Sequence, residues 1–465
     1  MNDFKQFEAY VKGKNLSDSE RKESWRLLKE FGYGIASEYV DWRVSMQQKP
    51  VAIRDAPVIF QAWGVDNIEQ GALTQMGNAM RLPVTVAGAL MADAHQGYGL
   101  PIGGVLATDN AIVPYAIGVD IACRMKVSVF KIDPAELERN QAFFEAAILE
   151  NTVFGAGANG LNDGTLDHAV LDEALWDATP LLKSLRLTAI RQLGTSGGGN
   201  HFADLCELSP TYEGSLGVDD GKYVALMTHS GSRGVGFKIA NHYTELAKKR
   251  CAGLPREMDN LAWLDIDSEA GQEYLYAMTL AGLFAAANHQ VIHNRIAKAI
   301  GAVPIMAIEN HHNYAWIEDV EVDGAIKQCI VHRKGATPAG AGVMGVIPGS
   351  MGDVGFLVRG KGNALSLNSA PHGAGRAMSR TQAIKTIEQA DTDAYLSAQG
   401  VLKVIGAGKD ESPFAYKPIA QVMHESRDLV ETIGVLRPRI VRMANDTLSA
   451  PKSEIVKGVV LDEGS

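Results

Sequence analysis

The sequence predicts a globular fold of the α/β or α+β class. Apolar residues make up 46% of the 465 residues and charged residues 21%, the balance of a chain that buries a large core. Helical patterning appears at 16–47 and 268–300. Short apolar runs broken by glycine, at 86–130 and 333–380, are typical of buried strands that alternate with loops. Helices and strands are therefore both expected in quantity.

Composition narrows the function classes. No apolar run is long enough for a membrane span, and the segment MNDFKQFEAYVKGK lacks a secretory hydrophobic stretch, so a cytoplasmic protein with no membrane partner is expected. The net charge of −10 argues against nonspecific wrapping of nucleic acid. Four widely spaced cysteines without a CxxC pair predict reduced thiols.

The helical segments follow in chain order. Residues 16–47 are read as part of a helical N-terminal extension. Residues 268–300 are apolar nearly all round, which predicts a buried helix. Two further helices are expected at 380–400 and 418–434, with a loop between them.

The segment 333–380 is rich in glycine and positive charge. It holds 11 of the 48 glycines, too many for a regular helix, so loop and strand are expected. The segment contains six Lys and Arg residues and one acidic residue, Asp353. It therefore has a local excess of five positive charges on an acidic chain. An anion is expected near this segment.

Most of the polar residues that are candidates for catalysis or ligand binding lie in glycine-flanked turns. Glycine permits positive φ and a close approach of backbone to ligand, so a polar neighbour is often displayed. Six such displays in one chain indicate a functional site. They are DAHQGYGLPIGG from Asp93, GVDIAC from Gly118, GTSGGGNHF from Gly194, THSGSRG from Thr228, NHHNY from Asn310 and PHGAGR from Pro371.

One set of these residues offers mixed oxygen, sulfur and nitrogen ligands: Asp120, Cys123, His201, His229 and His312. Such a set suits manganese, iron or zinc better than magnesium or calcium, which prefer oxygen alone. The alternative is structural, with Cys123 as a small buried hydrophobe and His201 as a turn residue. Spacing alone leaves the two readings open, because the ligands are far apart in sequence.

Other histidines favour plainer roles. His289 and His293 share a helical face, but no catalytic Glu follows the first, so both are assigned to the buried helix. His332 suits a phosphate contact and a surface position equally.

His372 stands among glycines and ahead of two arginines. A neutral imidazole is a nucleophile toward phosphorus when an acceptor orients its other nitrogen and nearby groups neutralise the phosphate. The amides of 373–375 and the guanidinium of Arg376 or Arg380 are candidates to hold phosphate oxygens.

With these motifs the chain resembles the RtcB family of GTP-dependent RNA ligases. The resemblance runs from about residue 57 to 458, carries all six displays in family order, and adds RKGA at 333, IPGSMG at 347, HGAGRAMSR at 372 and VKG at 456. It implies an α+β fold with a mixed β-sheet core, flanking helices and a central metal cleft. It also implies a single catalytic domain at 56–465 after a helical extension at 1–55.

The resemblance implies residue roles as well. His372 would take GMP from GTP, and Asp93 would orient it. Two manganese ions would be held by the five candidate ligands, with Cys123 as the bridging thiolate. Guanosine and phosphate contacts would come from Asn200, Asp204, Ser350, Ala374, Gly375, Tyr416 and Lys457.

The implied reaction joins an RNA 3′-phosphate or 2′,3′-cyclic phosphate end to a 5′-hydroxyl end through a histidine–GMP intermediate, and some members need an activating protein. Two positions depart from the family pattern. Asp204 replaces a Glu and is one methylene shorter, and Gly355 replaces a small hydroxyl residue, so guanine selectivity is affected. The alternatives are a guanylyltransferase that caps 3′-phosphate ends without sealing, and a metal-dependent phosphodiesterase or binding module.

Overall fold

The computed structural model describes residues 3–14, 16, 18–45, 51–155, 157–159, 168–218 and 221–444. The α-helices of this part are α1 (Asp3–Val11), α2 (Asp18–Ser45), α3 (Gln70–Ala79), α4 (Ala135–Arg139), α5 (Gln141–Asn151), α6 (Pro180–Gln192), α7 (Arg233–Arg250), α8 (Glu269–Ala299), α9 (Arg380–Thr386), α10 (Gln389–Ala398) and α11 (Ile419–Glu425). None of these helices is both long and apolar enough to cross a membrane.

The strands of the same residues are β1 (Gln61–Ala62), β2 (Thr85–His95), β3 (Ile102–Thr108), β4 (Ala111–Ile112), β5 (Arg124–Phe130), β6 (Phe202–Pro210), β7 (Tyr223–Ser230), β8 (Leu264–Asp265), β9 (Pro304–His311), β10 (Asn313–Val322), β11 (Ala325–Lys334), β12 (Ala336–Pro338), β13 (Met344–Ile347), β14 (Gly355–Gly360), β15 (Ser369–Pro371), β16 (Lys403–Ile405) and β17 (Val430–Met443).

Two mixed sheets form the centre of the α+β fold. The larger sheet has the order β13-β14-β17-β6-β7-β5-β9, with β16 parallel to β17. The smaller sheet has the order β1-β2-β3-β11-β10, in which β1 and β2 are parallel. The predicted mixed β-sheet core with flanking helices is confirmed.

The register of the larger sheet brings distant residues to one edge. Neighbouring strands β9, β5, β7 and β6 are antiparallel, so the ends of β7 and β9 lie beside the beginnings of β5 and β6. Arg124 pairs with His311 and with Ser230, and Phe202 pairs with His229. This edge therefore holds residues 123, 201, 229 and 312.

Helix α8 confirms the predicted buried helix at 268–300. Its side chains contribute to the largest apolar cluster through residues such as Tyr274, Phe284 and Ala285, and Ile292 and Ile296 pack into a second cluster with β5 and β7 residues. Being apolar on most sides, the helix contacts core on several faces at once.

The N-terminal helices pack on one another. Phe7, Val11, Leu28, Ala36 and Val40 are buried in one cluster whose members all come from α1, α2 and their connection. Within α2 the helical path breaks at Gly32, where φ is 86° and ψ is 178°. Side chains rarely permit that conformation, so glycine sets the break.

Two helix predictions need correction. The expected helix at 418–434 ends at residue 425, and the chain from Val430 onward is strand β17. The β-branched residues of that segment pair with β6 and β14, so sheet formation overrides helical patterning. The expected helix at 380–400 is two shorter helices, α9 and α10.

Candidate active site

The five candidate metal ligands converge at the edge of the larger sheet. Cys123 Sγ lies 3.1 Å from His229 Nε2 and 3.4 Å from His201 Nε2. His229 Nε2 lies 3.2 Å from His312 Nε2, and His201 Nε2 lies 3.3 Å from Asp120 Oδ2. Two groups of three ligand atoms, each within 4.8 Å, thus share the thiol of Cys123. The sequence placed these residues in one set, and the structure brings them together.

Hydrogen bonds orient the imidazoles for coordination. Nδ1 of His201 donates to the carbonyl of Ser196 at 2.8 Å, and Nδ1 of His229 donates to that of Asn200 at 3.2 Å. Nε2 of both rings therefore carries the lone pair and faces Cys123. Among the described residues, buried Asp120 Oδ2 accepts no hydrogen bond. This donor set fits divalent cations of the manganese, iron or zinc type.

Burial sets the protonation of the ligands. It raises the pKa of the Cys123 thiol and lowers the pKa of His229 and His312, so both imidazoles are neutral at pH 7. Burial also acts to raise the pKa of Asp120, but the adjacent His201 and the charge of Arg233 outweigh it and lower that pKa to about 2. A cation bound here would favour the thiolate, because coordination deprotonates a thiol.

The backbone near Asp120 and Cys123 is constrained by its conformation and by close contacts. Ala122 has φ +60°, a left-handed conformation that a non-glycine residue adopts at a cost in energy, and its N–H donates to the carbonyl of Asn313. A Cβ at Gly231 would lie 2.2 Å from Asp120 Oδ2. Such constraints fix Asp120 and Cys123 relative to β7.

His372 and Asp93 form a second, adjacent constellation. Nδ1 of His372 lies 2.7 Å from Oδ2 of Asp93, which also accepts the backbone N–H of His372 at 3.1 Å. Asp93 is fully buried on β2. The His372 ring packs against His312 with centroids 4.9 Å apart. The carboxylate holds Nδ1 as the proton donor, so Nε2 carries the lone pair of the ring.

A cleft joins the two constellations. His229, His312 and His372 lie on its wall. Most of the expected nucleotide contacts line it too: Asn200, Asp204, Ser350, Ala374, Gly375 and Tyr416. Lys457 lies outside the described residues.

Two wall residues have defined local roles. A Cβ at Gly375 would lie 2.0 Å from the carbonyl oxygen of Asp93, so only glycine permits the approach of this loop to β2. Burial raises the pKa of Asp204 well above its usual range, and its Oδ1 accepts the backbone N–H of Arg442. Burial therefore favours the protonated form of Asp204, which is able to donate one hydrogen bond.

The arginines after His372 are paired with acids from elsewhere in the chain. Arg380 lies 2.6 Å from Asp410 and also bonds Glu411, and Arg376 lies 3.6 Å from Glu411 and above the ring of Tyr416. The positive excess of 333–380 is thus partly compensated by the segment 410–411.

The remaining histidines have structural positions. His332 is fully buried, its Nε2 accepting from the amide of Val113 and its Nδ1 donating to Leu106, so neither the phosphate nor the surface interpretation was right. His289 and His293 are buried on α8, as expected, and both contact Thr228 of β7.

The sequence interpretation missed Arg233. It follows His229 in THSGSRG and has φ +57° at the first residue of α7. Its Nη1 lies 3.4 Å from Nδ1 of His201, and its buried Nε has no partner among the described residues. The glycine-flanked display carried the signal, but only its histidine was weighed.

These features define a class of site in which a histidine paired with a carboxylate adjoins a cluster of thiol, imidazole and carboxylate ligands. The family model for the tRNA-splicing ligase RtcB matches residues 75–444. An RNA-splicing ligase RtcB1 from Escherichia coli is 33% identical over 429 residues, covering 84% of this chain and 98% of the relative. A tRNA-splicing ligase RtcB from Thermococcus kodakarensis is 30% identical, covering 79% and 89%.

The chain therefore belongs to the RtcB ligase family.

Proposed function

We propose that this chain is an RNA ligase that joins a 3′-phosphate or 2′,3′-cyclic phosphate end to a 5′-hydroxyl end through a guanylylated His372. GTP is the nucleotide, and two Mn²⁺ ions occupy the ligand cluster. The observation that carries the proposal is the bond between His372 and buried Asp93 on the wall of a cleft that the ligand cluster also lines. The names of the relatives, RNA-splicing and tRNA-splicing ligases, support an RNA substrate.

In the first step Nε2 of His372 attacks the α-phosphorus of GTP. An N–P bond forms, the bond from phosphorus to the pyrophosphate oxygen breaks, and pyrophosphate leaves. The ring becomes positive during attack, and the carboxylate of Asp93, 2.7 Å from Nδ1, stabilises that charge. The metal ions, when bound, supply charge that neutralises phosphate oxygens.

In the second step an oxygen of the RNA 3′-phosphate attacks the phosphorus on His372, and the imidazole leaves. The RNA then ends in a pyrophosphate linked to guanosine. In the third step the 5′-hydroxyl attacks the RNA phosphorus, a phosphodiester forms and GMP leaves. A cyclic phosphate end is first hydrolysed to the 3′-phosphate.

Nucleotide binding is assigned to the cleft residues. Asn200, Ser350 and Tyr416 are proposed as contacts, together with the backbone at Ala374 and Gly375. Asp204 is proposed as a donor to the base because burial favours its protonated form. Residues 1–55 are proposed as an extension separate from the catalytic domain at 56–465, because, among the described residues, every member of the α1–α2 cluster lies at or before Val40. Reduced, buried cysteines favour a cytoplasmic setting.

The test uses GTP labelled at the α-phosphate, with manganese and the purified protein. We expect an acid-labile, alkali-stable protein adduct, as a phosphoramidate gives. RNA with 3′-phosphate and 5′-hydroxyl ends should then be sealed. A persistent guanosine-capped 3′ end without sealed product would favour the capping alternative. Hydrolysis of cyclic phosphate with no protein adduct would favour the phosphodiesterase.

A further inference from the structure

A second cleft, here named the Tyr98 cleft, opens beside the one that His372 lines. Its volume is about 520 Å³, and the two clefts share His95, Ile102 and Arg376 as a common wall. Its further lining includes the polar side chains of Glu69, Gln96, Tyr98, Arg380 and Lys417. A flexible chain lying in the Tyr98 cleft would thus have one end at the wall of the His372 cleft.

The loop that carries Tyr98 is fixed from three sides. The amide of Gln96 donates to Glu69, the amide of Gly97 donates to Gln75 at 3.0 Å, and Lys334 Nζ donates to the carbonyl of Tyr98 at 2.7 Å. These partners belong to the start of α3, to α3 itself and to β11. The backbone of the loop is therefore held in place before any ligand binds.

The side chain of Tyr98 is displayed on this fixed loop. It is 48% exposed, and its ring meets Tyr115 edge to face at 6.3 Å between centroids. Nucleobases stack on exposed aromatic rings, and a preorganised ring loses little conformational freedom when they do.

The charge of the Tyr98 cleft suits a phosphodiester chain. Three cationic side chains line it, Arg376, Arg380 and Lys417, against the single carboxylate of Glu69. Glu69 is already engaged by the amide of Gln96. The side chains that line the cleft thus carry more positive than negative charge, which favours an anionic ligand at this place, although Asp410 and Glu411 compensate the two arginines from outside the lining and Lys417 is buried, with its Nζ donating to the carbonyls of Ala92 and Ala94.

The acids that pair with the arginines also shape the site. Asp410 and Glu411 bond Arg380, and Arg376 Nη2 donates to the carbonyl of Asp410 at 2.8 Å. Neither acid lines the Tyr98 cleft. Both guanidinium groups are therefore held from outside the cleft while they border it.

We propose that the Tyr98 cleft binds the terminal nucleotides of the single-stranded RNA whose end reacts beside His372, with one base stacked on Tyr98 and phosphates near Arg376 and Lys417. The inference rests on the proposed function and extends it from the reacting end to the strand behind it. Tyr98 is a binding residue for RNA and has no part in the transfer of GMP.

The test measures RNA affinity without GTP. Fluorescence anisotropy is recorded with short single-stranded RNAs, one bearing a 3′-phosphate end and one a 5′-hydroxyl end, each labelled at its other end. For at least one RNA, Tyr98→Ala should raise the dissociation constant at least about fivefold, the smaller end of what one lost base stack produces. Tyr98→Trp should restore affinity, because stacking needs only an aromatic face.

Tyr276→Ala is the matched control. Tyr276 is 47% exposed on α8 and lies outside the lining of both clefts, so this variant should bind RNA as the wild type does. The proposal is overturned if Tyr98→Ala binds both RNAs as Tyr276→Ala does, or if Tyr98→Trp is as weak as Tyr98→Ala.

The result is separable from the proposed function. Adduct formation from labelled GTP is measured on the wild type alone and needs no RNA. If the wild type forms the adduct but Tyr98→Ala binds RNA as tightly as the wild type does, only the inference about the Tyr98 cleft is overturned. Affinity that depends on Tyr98, in a protein that forms no adduct, supports the cleft and contradicts the guanylylation step.

Discussion

The ligand cluster and the His372 pocket use the same side chain in two ways. In the cluster, Nδ1 of His201 and of His229 donates to a peptide carbonyl, whereas Nδ1 of His372 donates to the carboxylate of Asp93. A neutral carbonyl orients a ring and leaves it neutral, as a metal ligand must be. A carboxylate also stabilises a positive ring, as a nucleophile requires once it has attacked. For these three rings, the partner of Nδ1 therefore distinguishes the two proposed metal ligands from the proposed nucleophile.

His332 shows a third arrangement of hydrogen bonds around an imidazole. Both nitrogens of His332 are bonded to backbone groups, at Val113 and Leu106, so no lone pair remains for a ligand. Its role is to stabilise the packing of β11 against its neighbours.

The largest expected effect comes from removing the nucleophile. His372→Ala should abolish the GMP adduct and leave manganese binding intact, because the ring is absent from the two groups of ligand atoms. Labelled GTP and metal stoichiometry measure the two properties. His242→Ala, at an exposed position on α7, is the control and should form adduct normally. An adduct on His372→Ala would place the nucleophile elsewhere.

Removing the shared thiol should act on the metal first. Cys123→Ala is expected to lose manganese and, in consequence, the adduct, because Sγ belongs to both groups of ligand atoms. Elemental analysis of the dialysed protein measures the stoichiometry. Cys206→Ala removes another buried thiol, one that belongs to neither group of ligand atoms, and should keep the metal. Full stoichiometry in Cys123→Ala would contradict the bridging role.

Converting the carboxylate partner into a neutral one should give an intermediate effect. Asp93→Asn keeps the shape of the side chain but makes the Nδ1 partner of His372 resemble those in the cluster. Adduct formation should slow about 10- to 100-fold while manganese binding persists, as when the hydrogen-bond partner of a functional group is lost. Single-turnover kinetics with labelled GTP measure the rate. An unchanged rate would show that the carboxylate only positions the ring.

The smallest effect on the reaction should come from the core histidine. Burial lowers the pKa of His332 to about 4, below its usual value near 6.5, so the unfolded chain binds the proton more tightly than the folded one. This group's stabilisation is present above pH 6.5 and is lost as pH falls toward 4, by up to about 3 kcal/mol.

Urea unfolding across that pH range measures it. His332→Gln retains a donor and an acceptor but does not titrate, so its free energy of unfolding should fall less between pH 6.5 and 4 than that of the wild type. Parallel curves for the two proteins would mean that His332 does not contribute to the acid sensitivity. Adduct formation at neutral pH should differ little between them.

Local patterns predicted much of the fold. Helix α8 and strands β2, β3 and β5 lie where apolar periodicity placed them, since each buries a continuous apolar surface. The helix predicted for the segment after residue 429 was wrong, because this segment forms a strand by pairing with β6 and β14 and not through its own periodicity.

The sequence allowed the residues of the site to be predicted, but not their positions relative to one another. The ligands extend from Asp120 to His312, and only the register of four strands brings them to one edge. The acids that pair with Arg376 and Arg380 lie some thirty residues onward, so the charge of the glycine-rich segment was misjudged. The proposed roles of the residues stay predictions until the variants are measured.

Strand β17 has a consequence for biosynthesis. It begins at residue 430 yet lies inside the larger sheet, between β6 and β14. A nascent chain that stops before residue 430 leaves both of those strands with open edges, the kind of surface that pairs with other chains and aggregates. It also lacks the Arg442 amide that holds Asp204 and the Met443 side chain on the cleft wall. Translation must therefore pass this strand before the cleft is complete.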